Sequence, residues 1–430
     1  MNRDRRRSGF VDAGPATAPP VARLLGGRAG RPSAPLVTKD PSWCESPLDP
    51  AQDALRIAML APPWIPIPPT GYGGIEEVVS LLCEGLVARG HRVTLFAAPR
   101  SRSPADVQPL LDCAHPDEIQ QSLWEVDHVA RGFDAVDAAA EAGDRYDVVH
   151  DHTSCAAIAM AGRLDTPVVH TLHGPFDPVM SAFYAAHGHK GTLVAVSASQ
   201  RDGAPAALRD AIDVVHNPLA VDRWPFVAEP DDYVLWMGRM TEGKGPQRAI
   251  QAARMAGVPL VLAGPVQPGQ EEFFARQVEP GLDGDAARYV GEVGGEDRSR
   301  LFAHARALLM PIRWAEPFGM VMVEAMACGT PVIAYPEGSA TEIVLDGENG
   351  ILADGERAMA RAIRGLGCID RARCRALTVE RFAVPSAVAG YERVYARVLA
   401  RRDRFVRRRP PSAFPRPAPS RHAVAAVDPR

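Results

Sequence analysis

Short apolar runs separated by amphipathic stretches recur along most of this chain in two series, and that alternation restricts its architecture more than any other feature. Leu55–Leu60, Arg92–Phe96, Tyr146–His150, Pro167–Thr171, Thr192–Val196 and Asp213–His216 make up the first series. Tyr233–Met237, Leu260–Ala263, Tyr289–Val290, Leu308–Met310 and Val332–Ala334 make up the second. Each run has the length of a buried strand, and the intervening segments carry helical spacing, as where Ile75, Val78, Val79, Leu82 and Leu86 fall on one face. Strands that alternate with helices pair in parallel, since a parallel connection needs a long crossover and a helix supplies it. The stretch between the series, Asn217 to Pro230, is rich in proline and reads as a linker.

Two facing, doubly wound α/β domains are therefore expected, over residues 55–228 and 229–385. A packing helix over 386–404 should follow, with Val388, Tyr391, Val394, Tyr395 and Val398 on its buried face. At 430 residues the chain is long enough for both cores. Residues 1–54 and 405–430 are rich in Arg, Pro and Ala without sustained periodicity and are expected to be disordered. Their arginines suit acidic lipid or nucleic acid, although a solvated tail is the simpler reading.

A net charge of −4 gives no global reason to expect nucleic acid. The seven cysteines are scattered and never form a Cys-x-x-Cys pair, which argues against a disulfide framework and a zinc site and for a reducing cytoplasm. No stretch approaches the roughly 18 apolar residues of a spanning helix, so membrane contact, if any, is expected to be peripheral.

Chemistry concentrates in Trp314-Ala-Glu316-Pro-Phe318-Gly319-Met320-Val-Met-Val-Glu324. Pro317 and Gly319 break the backbone, so Glu316 is expected in a loop and Glu324 on the helix behind it. First-turn amides lie between the two carboxylates and point partial positive charge outward, an arrangement suited to phosphate. A ligand with hydroxyls on either side of a diphosphate, such as a nucleotide sugar, fits that order. An isolated pair of glutamates at a helix start is commonly just a solvated complement to the dipole. Here, however, flanking strands place the pair at the carboxyl end of a parallel strand, where ligands of open sheets bind.

Two further loops have anion-binding character. Gly73-Gly74-Ile-Glu76-Glu77 follows the first strand and opens a helix, so its glycines allow close backbone approach, while both glutamates read more simply as first-turn acids. Gly238-Arg239-Met-Thr-Glu-Gly-Lys244-Gly245 follows the first strand of the second series and offers a planar fork and a compact cation to a diphosphate. His150, His152, His170 and His173 occupy two adjacent strand ends. A metal site is disfavoured; His173 is the candidate for a sugar hydroxyl, and the other three are read as core or surface histidines.

Taken together, these segments resemble the retaining GT-B glycosyltransferases, specifically glycosyltransferase family 4, also known as glycosyl transferases group 1. The resemblance runs over most of residues 55–400 and rests on several motifs in order. They are Gly73-Gly-x-Glu76, Gly90-His-x-Val93, Thr171-x-His173-Gly174, Ser197, Asn217-Pro, Gly238-Arg239-x4-Lys244-Gly245, Glu316-x-Phe318-Gly319 with Glu324, and Gly347-x-x-Gly350. It implies the GT-B fold and transfer of a sugar from a nucleotide-diphosphate donor to an acceptor hydroxyl, with retained configuration and without a metal or other cofactor. It further implies that Arg239 and Lys244 hold the diphosphate and Glu324 the ribose. Glu316 and backbone near Phe318, Gly319 and Met320 would orient the sugar, His173 would touch it from the first domain, and Gly73 and Gly74 would shape the cleft floor. Proline after Asn217, where glycine is frequent, and the two tails depart from the pattern. Such enzymes are described by front-face attack in which the leaving phosphate takes the acceptor's proton, so no nucleophile is nominated. A sugar-nucleotide epimerase of the same architecture and a catalytically silent nucleotide-sugar-binding protein are the rival readings. Acceptor contacts are expected from first-domain loops, near Tyr72 and over residues 112–140, which encode no recognisable partner. Lipid-linked, small-molecule and polysaccharide acceptors therefore stand open, as does the donor base.

Overall fold

In a computed structural model, residues 53–406 are described, apart from Tyr72 and Gln120. The expected tails thus fall almost wholly outside the described residues, as does Tyr72.

The first domain is built on seven strands: β1 (Arg56–Leu60), β2 (Arg92–Ala97), β3 (Asp106–Pro109), β4 (Val148–Asp151), β5 (Val168–Leu172), β6 (Thr192–Ala195) and β7 (Asp213–Val214). They lie in the order β3-β2-β1-β4-β5-β6-β7, every neighbour parallel. The second domain contains β8 (Val234–Met237), β9 (Leu260–Ala263), β10 (Ala287–Tyr289), β11 (Leu308–Met310), β12 (Val332–Ala334) and β13 (Gly350–Leu352). These are ordered β10-β9-β8-β11-β12-β13, again all parallel. Strand order reverses between β1 and β4 and between β8 and β11. Connections leave in opposite directions there, opening a crevice at the carboxyl ends of the strands.

Helices cover both faces of each sheet, which is why the central strands read as nearly continuous apolar runs. Leu82 and Leu86 of the Gly74–Ala88 helix pack with Ile57, Met59 and Val93 on one face of the first sheet, and Val129 and Phe133 pack with Leu60 and Phe96 on the other. Two strands escaped the sequence reading. β3 is a polar edge strand ending in proline, and β13 begins at a glycine, so neither produces an apolar run.

The last helix, Val384–Val406, returns to the first domain: Val388, Tyr391, Val394, Tyr395 and Val398 are all buried in the core that contains Leu82 and Val93. Gly85 permits the contact, since a Cβ there would stand 2.5 Å from Val388 Cγ2. The chain accordingly crosses between domains twice, and the crossings are joined, with Leu219 N donating to Phe382 O at 2.8 Å. The Arg375 guanidinium also donates to Val221 O at 3.0 Å and Trp224 O at 2.8 Å. The proline-rich crossing is thereby held along its first half.

Candidate functional site

The loop after β8 carries both candidate cations. Its turn is closed by Thr241 N donating to Arg239 O at 2.7 Å and Lys244 N to Thr241 O at 3.1 Å. Gly245 has φ +77°, and a Cβ there would lie 2.4 Å from Pro311 O, so this loop abuts the end of β11. Lys244 Nζ is ion-paired with the Glu316 carboxylate and lies 4.8 Å from the centroid of the Trp314 ring. Arg239 points toward Gln267, at 3.4 Å. One acid and one cation expected at the donor site are therefore in direct contact, and the second cation, Arg239, shares the loop of Lys244.

Glu316 enters the helix Met320–Ala327 through Gly319, whose φ of +78° is left-handed. Three consecutive carbonyls of this approach are turned away from the helix start and satisfied elsewhere. Glu316 O accepts from Ser339 N at 3.0 Å, Pro317 O from Ser197 Oγ at 2.6 Å, and Phe318 O from Ser339 Oγ at 2.7 Å. Met322 N closes the first turn onto Gly319 O at 2.9 Å, and the amides at the start of a helix, which have no carbonyl a turn earlier to meet, favour an anion. Ser197 belongs to the first domain, so its bond ties this loop across the crevice. A second tie is Glu342, which accepts from Ala198 N at 2.8 Å and meets His216 Nε2 at 2.6 Å. Although burial opposes it, His216 and the backbone amides hold Glu342 below the usual carboxylate range.

Glu324 sits on the helix and is buried against Arg298, with which it is ion-paired. Burial pushes its carboxyl up and Arg298 opposes that shift. Phe318 is buried against Phe382, with ring centroids 5.8 Å apart, while Met320 packs against the cores of both domains. Across the crevice the Gly74–Ala88 helix presents its first turn. A Cβ on Gly74 would meet nothing within 4 Å, whereas one on Gly73 would stand 2.7 Å from Ile65 and Pro69 atoms. Glu77, raised mainly by burial, also feels Glu324 and Arg298, which places that turn opposite the Glu324 end of the site.

The four histidines form one polar layer at the ends of β4 and β5, with His150, His152 and His170 buried and His173 half-buried at its edge. His173 Nε2 is 2.9 Å from His152 Nδ1, and His150 is bonded to Thr171 Oγ1 at 2.9 Å and to the Tyr395 hydroxyl at 2.6 Å. His170 is paired with Asp151 and lies 2.8 Å from the Tyr184 hydroxyl. Burial, with like-charge neighbours adding, lowers His150 and His173 to about 3. Both are neutral when folded and take up protons near pH 6.5 when unfolded. Their contribution to stability is complete above about pH 6.5 and is lost as pH falls toward about 3. The urea midpoint should therefore be lower at pH 5 than at pH 7.5 by more in the wild type than in His150→Gln; an unchanged gap would contradict a neutral buried His150.

Arg298 is not singled out by the sequence, and His152 and Trp314, not assigned a site role there, carry unpaired polar atoms in this region. Arg298 lies on the helix Gly295–His304, where nothing in the surrounding acids and serines marks it as the partner of Glu324. His152 Nε2 and Trp314 Nε1 are buried without a hydrogen-bond partner, the first beside His173 and the second beside Lys244. Unpaired buried donors or acceptors are costly unless something else meets them. Among the described residues no group of three or more His, Cys, Asp and Glu is placed to share a metal ion, and no helix is long and apolar enough to cross a membrane.

The chain is similar to known glycosyltransferases in sequence and fold. Residues 72–223 match the family described as Glycosyltransferase Family 4, and residues 222–366 match Glycosyl transferases group 1. A D-inositol 3-phosphate glycosyltransferase of Xylanimonas cellulosilytica is 31% identical over 417 residues, spanning 81% of this chain and 98% of its own. The glycogen synthase of Mycobacterium tuberculosis is 28% identical over 352 residues, spanning 69% of this chain and 82% of its own. Among solved structures, AviGT4, a glycosyltransferase involved in avilamycin A biosynthesis, superposes with a TM-score of 0.59 at 27% identity over 80% of this chain and 98% of its own. Anabaena HepE, solved with UDP and glucose, superposes with a TM-score of 0.58 at 19% identity over 80% of this chain and all of its own. The fold is GT-B.

Proposed function

Because the chain belongs to the family 4, group 1 glycosyltransferases, we propose that it transfers a hexosyl group from a nucleotide-diphosphate sugar to an acceptor hydroxyl, with retention and without a metal ion. The observation that carries this reading is the Lys244–Glu316 pair set beside the Gly319 helix start, with Arg239 on the loop of Lys244. Without donor, the ammonium is neutralised by the carboxylate. With donor, a diphosphate competes for Lys244 and Arg239 while Glu316 is released toward the sugar hydroxyls.

In this reading the anomeric carbon–phosphate oxygen bond breaks as the acceptor oxygen bonds to the same face of that carbon, and the acceptor's proton passes to the departing phosphate oxygen. Negative charge grows on the diphosphate during that step. Fixed cations and helix amides at that position lower the barrier because they need no reorganisation. In this reading Glu324, with Arg298 beside it, meets the ribose hydroxyls. His173, oriented by His152, faces the sugar from the first domain in its neutral form, able to donate or accept at a hydroxyl.

HepE was solved with UDP and glucose, so UDP-glucose heads the test panel. Thermal denaturation with UDP-, ADP- and GDP-sugars should show one donor raising the midpoint, since a ligand at about 100 times its Kd adds about 2.7 kcal/mol. NMR of the transferred product should then show the donor's anomeric configuration. No stabilisation by any donor, or an inverted product, would sink the proposal.

A further inference from the structure

The acceptor side of the cleft has an unusual surface. Of the five large apolar side chains that stand exposed among the described residues, four lie where the first domain's loops leave the carboxyl ends of β3 and β5: Ile119, Leu123, Val126 and Val179. Leu123 is 74% exposed and Val179 76%, although each begins a helix whose opposite face is packed. Two contacts bring these helix starts to the same loop after β4. The Glu125 carboxylate accepts from Ser154 N at 2.7 Å and from its hydroxyl, and Cys155 Sγ lies 3.8 Å from Met180 Sδ. Between Ile119 and Val126, Trp124 stacks on His115 with ring centroids 3.9 Å apart.

Charge on this rim is equally one-sided. No lysine or arginine occurs in residues 57–88, 103–130, 146–162 or 164–189, which include the loops after β1, β3, β4 and β5. Asp112, Asp117, Glu118 and Asp127 flank the apolar residues in sequence, Asp127 being ion-paired at 2.9 Å with the exposed Arg131 one turn along its helix. On neighbouring loops Arg100 and Arg102 after β2 are exposed, and Arg201 after β6 is half-buried and paired with Asp202. A phosphorylated acceptor would meet repulsion here rather than a cationic cradle, and an anionic lipid surface would be repelled likewise. Exposed apolar side chains on loops at these strand ends instead gain by burying apolar area of whatever enters.

We propose that the acceptor is a soluble, uncharged hydroxyl compound carrying an apolar portion, which rests on Leu123, Val126 and Val179 while its hydroxyl reaches the donor sugar. The inference rests on the glycosyltransferase reading and names its acceptor class, one distinct from a phosphorylated polyol.

The test needs no donor. Binding of octyl β-D-glucoside below its micelle concentration, methyl β-D-glucoside and myo-inositol 3-phosphate would be titrated by protein fluorescence and ligand-observed NMR. The octyl compound should bind at least tenfold tighter than the methyl one, and the inositol phosphate should not bind. Leu123→Asp and Val179→Asp should each remove the octyl preference. Met255→Asp, which alters the fifth exposed apolar side chain, on the second domain, should leave it intact. Equal binding of the two glucosides would overturn the proposal, as would tighter binding of the inositol phosphate that is lost in Arg102→Ala. Leu123-dependent sedimentation with phosphatidylglycerol vesicles would also overturn it. Nucleotide-sugar stabilisation measured on the same samples separates the two ideas. If it is present while the octyl preference is absent, only the acceptor assignment fails.

Discussion

Alanine at Arg239 or Lys244 is expected to lower turnover by about tenfold to a hundredfold, the kinetic equivalent of one charge-assisted contact of about 1.5 to 3 kcal/mol. The loss should fall mainly on kcat, because diphosphate charge is greatest after the glycosidic bond has begun to break and an interaction strongest there acts on the barrier. The two variants should differ in stability. Arg239 makes one long contact, to Gln267 at 3.4 Å, so removing it leaves little unsatisfied. Lys244 holds Glu316, whose side chain is only 12% exposed, and its loss strands a carboxylate in a largely closed site. Lys244→Ala should therefore unfold earlier than Arg239→Ala. Adding Glu316→Ala to Lys244→Ala should restore part of the lost stability without restoring activity, the non-additivity expected of two groups in contact. Initial-rate kinetics and urea midpoints on the four proteins test this directly. Wild-type turnover in either single variant would remove that side chain from the donor site.

What the sequence disclosed depended on how local each signal was. Buried parallel strands such as Leu260–Ala263 and Leu308–Met310 are written as apolar runs and were read to the residue. The polar edge strand Asp106–Pro109 has no inner face pattern to read. At the site, residues sharing one loop were legible together: Arg239 with Lys244, and Glu316 with Phe318 and Gly319. Contacts joining distant segments were not. Arg298 meets Glu324 across 26 positions and Ser197 meets Pro317 across 120, and no spacing rule connects them. The histidines show both limits. Their positions at two strand ends were visible, but their division into a His152–His173 pair and a His170–Asp151 pair follows from the β4–β5 register, which sets His150 beside Val169 and Asp151 beside His170. Likewise the apolar periodicity of the last helix announced a buried face, while its destination in the first domain depended on a double crossing that only tertiary structure reveals.

Gly264→Ala is expected to have the largest effect on stability, about 3 kcal/mol or more, and the reason is backbone meeting backbone. Gly264 follows β9 with φ +136°, a conformation that L side chains rarely adopt, and a Cβ there would stand 1.8 Å from Gly238 O. Neither group is a flexible side-chain end that can swing aside. Gly238 N in turn donates to Ala263 O at 3.0 Å and Met240 N to Pro265 O at 3.0 Å, so relieving the clash means breaking the ladder that carries Arg239. Such a loss is a large fraction of the roughly 5 to 15 kcal/mol that holds a domain folded. Urea unfolding of Gly264→Ala should show a much earlier transition. Gly74→Ala provides the contrast, since a Cβ there meets nothing within 4 Å and alanine favours a helix over glycine by about 1 kcal/mol. Its midpoint should be unchanged or slightly higher, while its stabilisation by the nucleotide sugar should fall because the added methyl stands where a ligand would approach the helix start. If Gly74→Ala kept full donor stabilisation, the first-domain glycine turn would have no part in the cleft floor; if Gly264→Ala unfolded like the wild type, the close approach of the β8 and β9 loops would be wrong.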